Sequence, residues 1–424
     1  MSYIKIGSKQ HHRAAIGMLL GSVVTFATMY SPQPLISLFT EEYGVSPALA
    51  SASISITTMA LAVALLFVSR LSNLWGRKGM MSLSLLLSSG FAIASAFVDN
   101  YYIFLVLRLL QGVSIAGFPS IAMAYLNEEF SPESIGKVVG VYVAGTSLGG
   151  LIGRVVVGAM TDLTNWKTAL ILLGVVNLVL SLWFWRNLPE SGNFTRKRES
   201  AVQWLSSMKQ AFLNRDLLRI YLTGFLLMGV YISILDYIGY LLLEAPYNLS
   251  QTIFGFLFVV NLAGTASSVL FGKLTDRYSR RSVIALAMGV LLAGMILTMV
   301  GGLWVKIAGV ALVAFGFFAG HSVASGWVGI LASKNIKAQA SSIYLLFYYG
   351  GSSLIGMSGG FFLSHFGWNG LIIYLGFLLI AAAGIAVSAH DVRARVPSRT
   401  GAAAGAVARD SRPVISKKTT FHVR

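Results

Sequence analysis

The sequence predicts an all-α integral membrane protein of twelve transmembrane helices arranged as two pseudo-symmetric six-helix halves. Three observations predict it. Only 11% of the 424 residues are charged while 56% are hydrophobic, and mean hydropathy is +0.74; a soluble domain carries about 25% charged residues to cover its surface. Apolar runs of spanning length, about 17–25 residues or more, recur along the chain with few gaps. Two loop and helix motifs also repeat about half a chain apart.

The apolar runs place spans at 15–38, 50–69, 79–98, 102–125, 135–160, 167–187, 219–243, 252–272, 282–302, 304–331, 339–364 and 368–390. Gly301 and Gly302 separate the ninth from the tenth, which together are too long for one crossing. The first run follows Lys5, Lys9 and Arg13 but is too long for a signal-peptide core, so it reads as an uncleaved helix.

Basic residues fix the expected orientation. Of 32 Lys and Arg, 28 fall in segments on the side of the N-terminus, Lys167 and Lys306 on the other side, and Arg108 and Arg154 inside spans. Lys/Arg-rich loops stay cytoplasmic, so both termini are expected there in a multi-pass protein of the cell inner membrane. The net charge of +17 is therefore an orientation signal and not a nucleic-acid face. The organisation expected is a cytoplasmic N-terminus (1–14), an N-terminal half (15–187), a cytoplasmic linker (188–218), a C-terminal half (219–390) and a disordered cytoplasmic tail (391–424). Trp204, Met208 and Phe212 sit at helical spacing in the linker and suggest an amphipathic helix.

The two halves echo each other. Ser69-Arg-Leu-Ser-Asn-Leu-Trp-Gly-Arg-Lys78 returns 203 residues later as Gly272-Lys-Leu-Thr-Asp-Arg-Tyr-Ser-Arg-Arg281. Gly145-Thr-Ser-Leu-Gly-Gly-Leu-Ile-Gly153 returns 206 residues later as Gly351-Ser-Ser-Leu-Ile-Gly-Met-Ser-Gly359. Repeated halves with a site at their interface are a recurrent transporter design.

On these residues the chain, over about 15–390, resembles the major facilitator superfamily. The paired loops are similar to its Gly-x-Leu-x-Asp-Arg-x-Gly-Arg-Lys signature, with Asn73 where the family has Asp and Ser279 where it has Gly. The resemblance implies a gating role for Asn73, Arg77, Asp276, Arg277 and Arg280. Arg108-Leu-Leu-Gln-Gly112 is similar to the family's Arg-x-x-Gln-Gly signature, linked there to proton coupling. The helix-five glycines resemble the antiporter signature, with Thr146 for Pro. Together they resemble the twelve-helix drug:proton antiporter branch with its sugar-efflux-like members.

A charge at a helix centre costs about 2.5–3.5 kcal/mol on insertion scales and marks function or a structural bond. Arg108 either holds an anionic group and tunes a neighbour's proton affinity, or donates to backbone carbonyls where helices pack. Asp236 is a carboxylate in a low-dielectric site and the first candidate proton carrier. Arg154 pairs with Asp236 across the halves or snorkels to the headgroups. His321, with an ordinary pKa near 6.5, is a further proton-coupling candidate or a packing residue. Tyr30, Gln33, Tyr142, Tyr237 and Tyr348 join Arg154 as candidate substrate-binding residues, within a wider aromatic set that includes Phe26, Tyr231, Tyr240, Tyr344 and Phe347.

The chain has no cysteine, no phosphate-binding glycine-lysine loop and no metal-ligand spacing, so no cofactor or metal is expected. An enzyme's nucleophile and a receptor's added domain are missing too. The expected function is secondary active transport by alternating access: proton-coupled export of a small amphipathic or drug-like compound, or transport of a sugar or organic anion. The expected partners are that small molecule, protons and the bilayer, with the chain a monomer.

Overall fold

The computed structural model describes residues 3–5, 7–131, 134–194, 200–333 and 335–391. Among them every regular element is helical. The chain forms α1 (Lys9–Tyr30), a 3-10 turn (Gln33–Leu35), α2 (Ile36–Tyr43), α3 (Pro47–Trp75), α4 (Arg77–Ser95), α5 (Tyr101–Ile115), α6 (Gly117–Glu129), α7 (Ile135–Leu163) and α8 (Trp166–Asn187). After the linker helix α9 (Ala201–Leu213) come α10 (Arg215–Leu242), α11 (Gln251–Leu257), α12 (Val260–Leu274), α13 (Arg280–Met299), α14 (Leu303–Leu331) and α15 (Lys337–Ser388).

Ten of these stretches are long and apolar enough to span a bilayer. Two facts bring the spans to twelve. The 52 residues of α15 are two helices joined at Gly367, whose φ of 63° and ψ of −168° interrupt the helix and suit only glycine. α4, with 19 residues, supplies the remaining crossing. α1 with α2, α5 with α6, and α11 with α12 each make one interrupted span.

Local chemistry sets the boundaries. Ser46, Asn100, Asn165, Asn214, Ser250 and Ser279 each accept a backbone N–H at a helix start, satisfying donors that have no intrahelical acceptor. Pro32 and Pro34 lack an N–H and end α1 in the 3-10 turn. Gly76, at φ 85°, is the only residue between α3 and α4, so the chain reverses there on a conformation that side chains resist. Gly301 and Gly302 part α13 from α14.

The C-terminal half packs around one large core that includes Trp327, Phe317, Leu235 and Leu291. The N-terminal half has smaller clusters around Phe118 and Tyr125 and around Phe39 and Phe104. We call the end of the bundle carrying the N-terminus and the linker basal, and the other end distal. The halves meet along two seams, α3 with α15 and α7 with α11. The expected tail, apart from Asp391, lies outside the described residues.

Candidate functional site

Polar side chains in an apolar bundle must be satisfied internally. Two separate networks do this, and they sort the intramembrane charges.

The first lies within the N-terminal half. Arg108 on α5 is 2% exposed. It donates from Nε to Ser53 O (2.8 Å), from Nη1 to Thr28 O (3.2 Å) and from Nη2 to Met29 O (2.8 Å), and also bonds Gln111. Gln111 Nε2 in turn donates to Ser88 O at 2.9 Å. Gly112 lets α5 approach closely, since a Cβ there would sit 2.3 Å from Thr57 O. Arg108 thus ties α1, α3 and α5 through main-chain acceptors. It reaches neither Asp236 nor the central cavity, which is the backbone-bonding alternative.

The second network joins the halves. Arg154 on α7 is 4% exposed, Gln33 on the 3-10 turn 1% and Asp236 on α10 2%. Arg154 Nε donates to Gln33 Oε1 at 2.7 Å, and Gln33 Nε2 donates to Asp236 Oδ1 at 2.5 Å. The direct Arg154–Asp236 pair expected from sequence is corrected to one mediated by an amide, because the broken end of α1 inserts Gln33 between them. Arg154 Nη1 also donates to Gly150 O at 2.6 Å. Its guanidinium lies between the rings of Tyr30 and Phe258, 4.4 and 4.5 Å from their centroids, so cation–π contact holds it as well. Snorkelling is excluded.

Basal to Arg154 is a cavity of about 250 Å³ between the halves, lined by Tyr30, Arg154, Tyr231, Asn261, His321 and Tyr348 among others. Tyr231 stacks on Phe317 at 3.8 Å and donates to Asn261 Oδ1 at 2.9 Å. His321 Nδ1 lies 3.0 Å from the Tyr344 hydroxyl, and its ring is 4.6 Å from that of Tyr348. Among the expected substrate residues, Arg154, Tyr30 and Tyr348 face this cavity. Gln33 and Tyr237 sit in the interface beyond it: the Tyr237 hydroxyl donates to Gly356 O at 2.7 Å and lies 2.9 Å from Ser51 Oγ. Tyr142 packs near Phe118 in the N-terminal core. Asn261, Phe317, Phe318 and Tyr349 line the cavity without having been singled out; Asn261, a polar residue in an apolar run, was the available signal.

The distal end is closed. Asp162 accepts from Gln251 N (3.1 Å), Thr252 N (2.7 Å) and Thr252 Oγ1 (2.6 Å) across the halves. Thr40 and Tyr240 hydroxyls are 2.5 Å apart. A Cβ on Gly158 would meet Gln251 O at 2.4 Å, so glycine permits the seal.

The gating candidates lie at the basal end. Arg77 holds Glu128 through Nε (3.1 Å) and Nη2 (2.7 Å), joining α4 to α6 inside one half. The side chain of Asn73 lies outside the described residues. Asp276 and Arg277 are exposed and make no ion pair among the described residues. Arg280 begins α13.

Known proteins share this architecture. The sequence profile of the Major Facilitator Superfamily matches residues 18–264 and 237–420. YybF of Bacillus subtilis (strain 168), described as an uncharacterized MFS-type transporter, is 42% identical over 382 residues, covering 90% of this chain and 94% of that protein. The inner membrane transport protein YnfM of Escherichia coli (strain K12) is 38% identical over 388 residues, covering 92% and 93%. A bacterial homolog of the human lysosomal transporter Spinster, in an inward-facing and occupied conformation, has the same fold with a TM-score of 0.75 at 13% identity, over 90% of this chain and 97% of that one. With profile, relatives and fold agreeing over nearly its whole length, the chain belongs to the major facilitator superfamily and is a multi-pass membrane transporter, not an enzyme.

Proposed function

We propose that the protein is a proton-coupled exporter of a small amphipathic compound in the cell inner membrane, working by alternating access with both termini cytoplasmic. The 28-to-2 division of loop Lys and Arg supports the orientation, and YnfM is by name an inner membrane protein. In this orientation the distal seal faces outward and the cavity lies toward the cytoplasm.

The observation that carries the proposal is the Arg154–Gln33–Asp236 chain, of which Arg154 alone lines the cavity. With Asp236 ionised the network is neutral. The Gln33 orientation is then forced, because a carboxylate only accepts and a guanidinium only donates. A proton on Asp236 leaves the network at +1 and weakens its bond from Gln33, since hydrogen bonds to ions are about twice as strong as neutral ones. The unbalanced cation then sits at the roof of an aromatic cavity. A neutral or cationic amphipathic cargo favours the unprotonated network, so cargo and proton exclude one another, as antiport requires. The cavity is smaller than the ~300–1,000 Å³ of drug-sized sites, which supports a small cargo.

A second reading follows from the same Arg154. An organic anion favours the +1 network, and cargo and proton would then travel together.

Proteoliposomes with an imposed pH gradient, run over cationic dyes, sugars and carboxylates, separate the two. Export of cations against proton entry supports the first reading, and proton-linked co-transport of carboxylates replaces it with the second. If Asp236→Asn transports as well as wild type under the gradient, the carrier assignment fails.

A further inference from the structure

The basal end of the N-terminal half holds a second cavity, of about 560 Å³, separate from the cargo cavity. Its walls are the segment before α1, the first turns of α1 and α4, and the end of α8 with the start of the linker. Four basic side chains line it, Lys5, Arg13, Lys78 and Arg186, against two carboxylates, Glu129 and Glu190. Both carboxylates are already engaged. Glu129 Oε1 accepts from Asn193 N at 2.9 Å, and Glu190 pairs with Lys78 at 2.8 Å. Lys5, Arg13 and Arg186 have no acidic partner among the described residues.

Membrane orientation asks for cations at this end but not for a cavity among them. The chain builds that cavity. Ile4 N donates to Glu129 O at 2.9 Å, and the Ile4 side chain is buried in the core cluster with Phe130 and Leu188. The N-terminal segment is thereby folded under the bundle, which brings Lys5 to the cavity that Arg186 also lines. With cations in surplus, the cavity suits a phosphate, which a guanidinium grips bidentately and an ammonium holds as a point charge.

The level of the cavity in the bundle says what carries the phosphate. Trp185 precedes Arg186 and Trp75 lies three residues before Lys78, and both are exposed. Exposed tryptophans at the ends of spans mark the headgroup level. Distal to Arg186 on α8, Leu182, Val179, Val175 and Leu172 follow at steps of three or four residues, each of them exposed. They form one apolar stripe in line with Arg186. From Val175 to Arg186 the helix rises ~16 Å at 1.5 Å per residue, about half of the ~30 Å hydrocarbon core. That is the depth of one leaflet.

We infer that this cavity holds the headgroup of an anionic phospholipid, with its phosphate among Lys5, Arg13 and Arg186 and an acyl chain along the α8 stripe. The lipid ties the segment before α1 to the end of α8 and so to the start of the linker between the halves. Neither cargo nor proton coupling enters this inference.

The test uses the full chain in detergent micelles holding equal phosphatidylglycerol and phosphatidylcholine. Native mass spectrometry counts the retained lipid, and melts in each lipid alone report its effect. Wild type should retain phosphatidylglycerol over phosphatidylcholine and melt several degrees higher in it, since a ligand of the folded state stabilises that state. Lys5→Gln, Arg13→Gln and Arg186→Gln combined should abolish both preferences. Lys209→Gln, Lys273→Gln and Lys337→Gln combined remove as many exposed charges elsewhere at the basal end and should keep both. Should the first triple variant melt early in phosphatidylcholine, Arg186→Gln alone, a change to one exposed side chain, carries the same reading. Equal loss in the two triple variants overturns the site in favour of diffuse attraction to a basic face. Equal retention of both lipids by wild type overturns it outright. Inorganic phosphate that reproduces the stabilisation in phosphatidylcholine overturns the lipid in favour of a soluble phosphate.

Discussion

Arg154 and Asp236, on opposite halves, do not touch; the amide of Gln33 stands between them, 2.7 Å from one and 2.5 Å from the other. Each buried charge thereby has one neutral partner that belongs to neither of their helices. At this point the halves are joined through a side chain carried by neither helix, on the 3-10 turn that follows α1.

Gln33→Leu should remove that link. Two hydrogen bonds to charged groups are lost, each ~1.5–3 kcal/mol, so the thermal midpoint falls. Transport driven by a pH gradient should drop by more than about tenfold, equivalent to ~1.4 kcal/mol in the barrier. Gln33→Glu keeps an acceptor for Arg154 but opposes Asp236, and should recover stability without recovering coupling. Parallel melts and proteoliposome flux check both.

Arg108→Ala should act on stability. Three main-chain carbonyls and Gln111 lose their donor, a loss of at least ~2–3 kcal/mol. The expected result is a lower unfolding midpoint, with cargo affinity of the folded fraction unchanged within about twofold.

Asp162→Ala should loosen the distal seal by removing three acceptor contacts. The chain contains no cysteine, so Ser250→Cys carries the sole thiol, read against the same variant with Asp162 intact. Its labelling by a membrane-impermeant maleimide should speed up in the Asp162→Ala background.

Gly158→Val should go further, because even a Cβ meets Gln251 O at 2.4 Å. The distal end then cannot close. Labelling of Ser250→Cys should reach its maximum and net transport should stop, while the protein stays folded in melts.

His321→Phe keeps the ring contacts with Tyr348 and Tyr344 but loses the hydrogen bond to the Tyr344 hydroxyl. Cargo affinity should change by several-fold while the response to a pH gradient persists, since His321 is not part of the Arg154–Gln33–Asp236 chain. Titrating cargo binding beside gradient-driven flux tests this.

The helices were readable because membrane spans announce themselves locally, through apolar length. The meeting of Gln33 with Asp236 was not, because the partners are 203 residues apart and no local pattern encodes an amide between two charges. Tyr237 looked like a cavity aromatic on helix position alone, yet it is buried in the interface beyond the cavity. Phe317 and Phe318 carried no signal, since an apolar residue facing a cavity reads the same as one facing lipid. Arg108 was visible as a buried charge, but only its acceptors reveal that it fastens helices.

The two seams differ in length. α3 and α15 stay together from Ala48 beside Gly360, past Ser55 beside Gly356, to Leu345 packing on the Leu61 and Ala64 cluster. α7 meets α11 through Gly158, Gly255 and Asp162, all toward the distal end. The halves are therefore fastened along most of α3 and α15, whereas on the other side α7 and α12 part below the distal contacts and line the cavity between them.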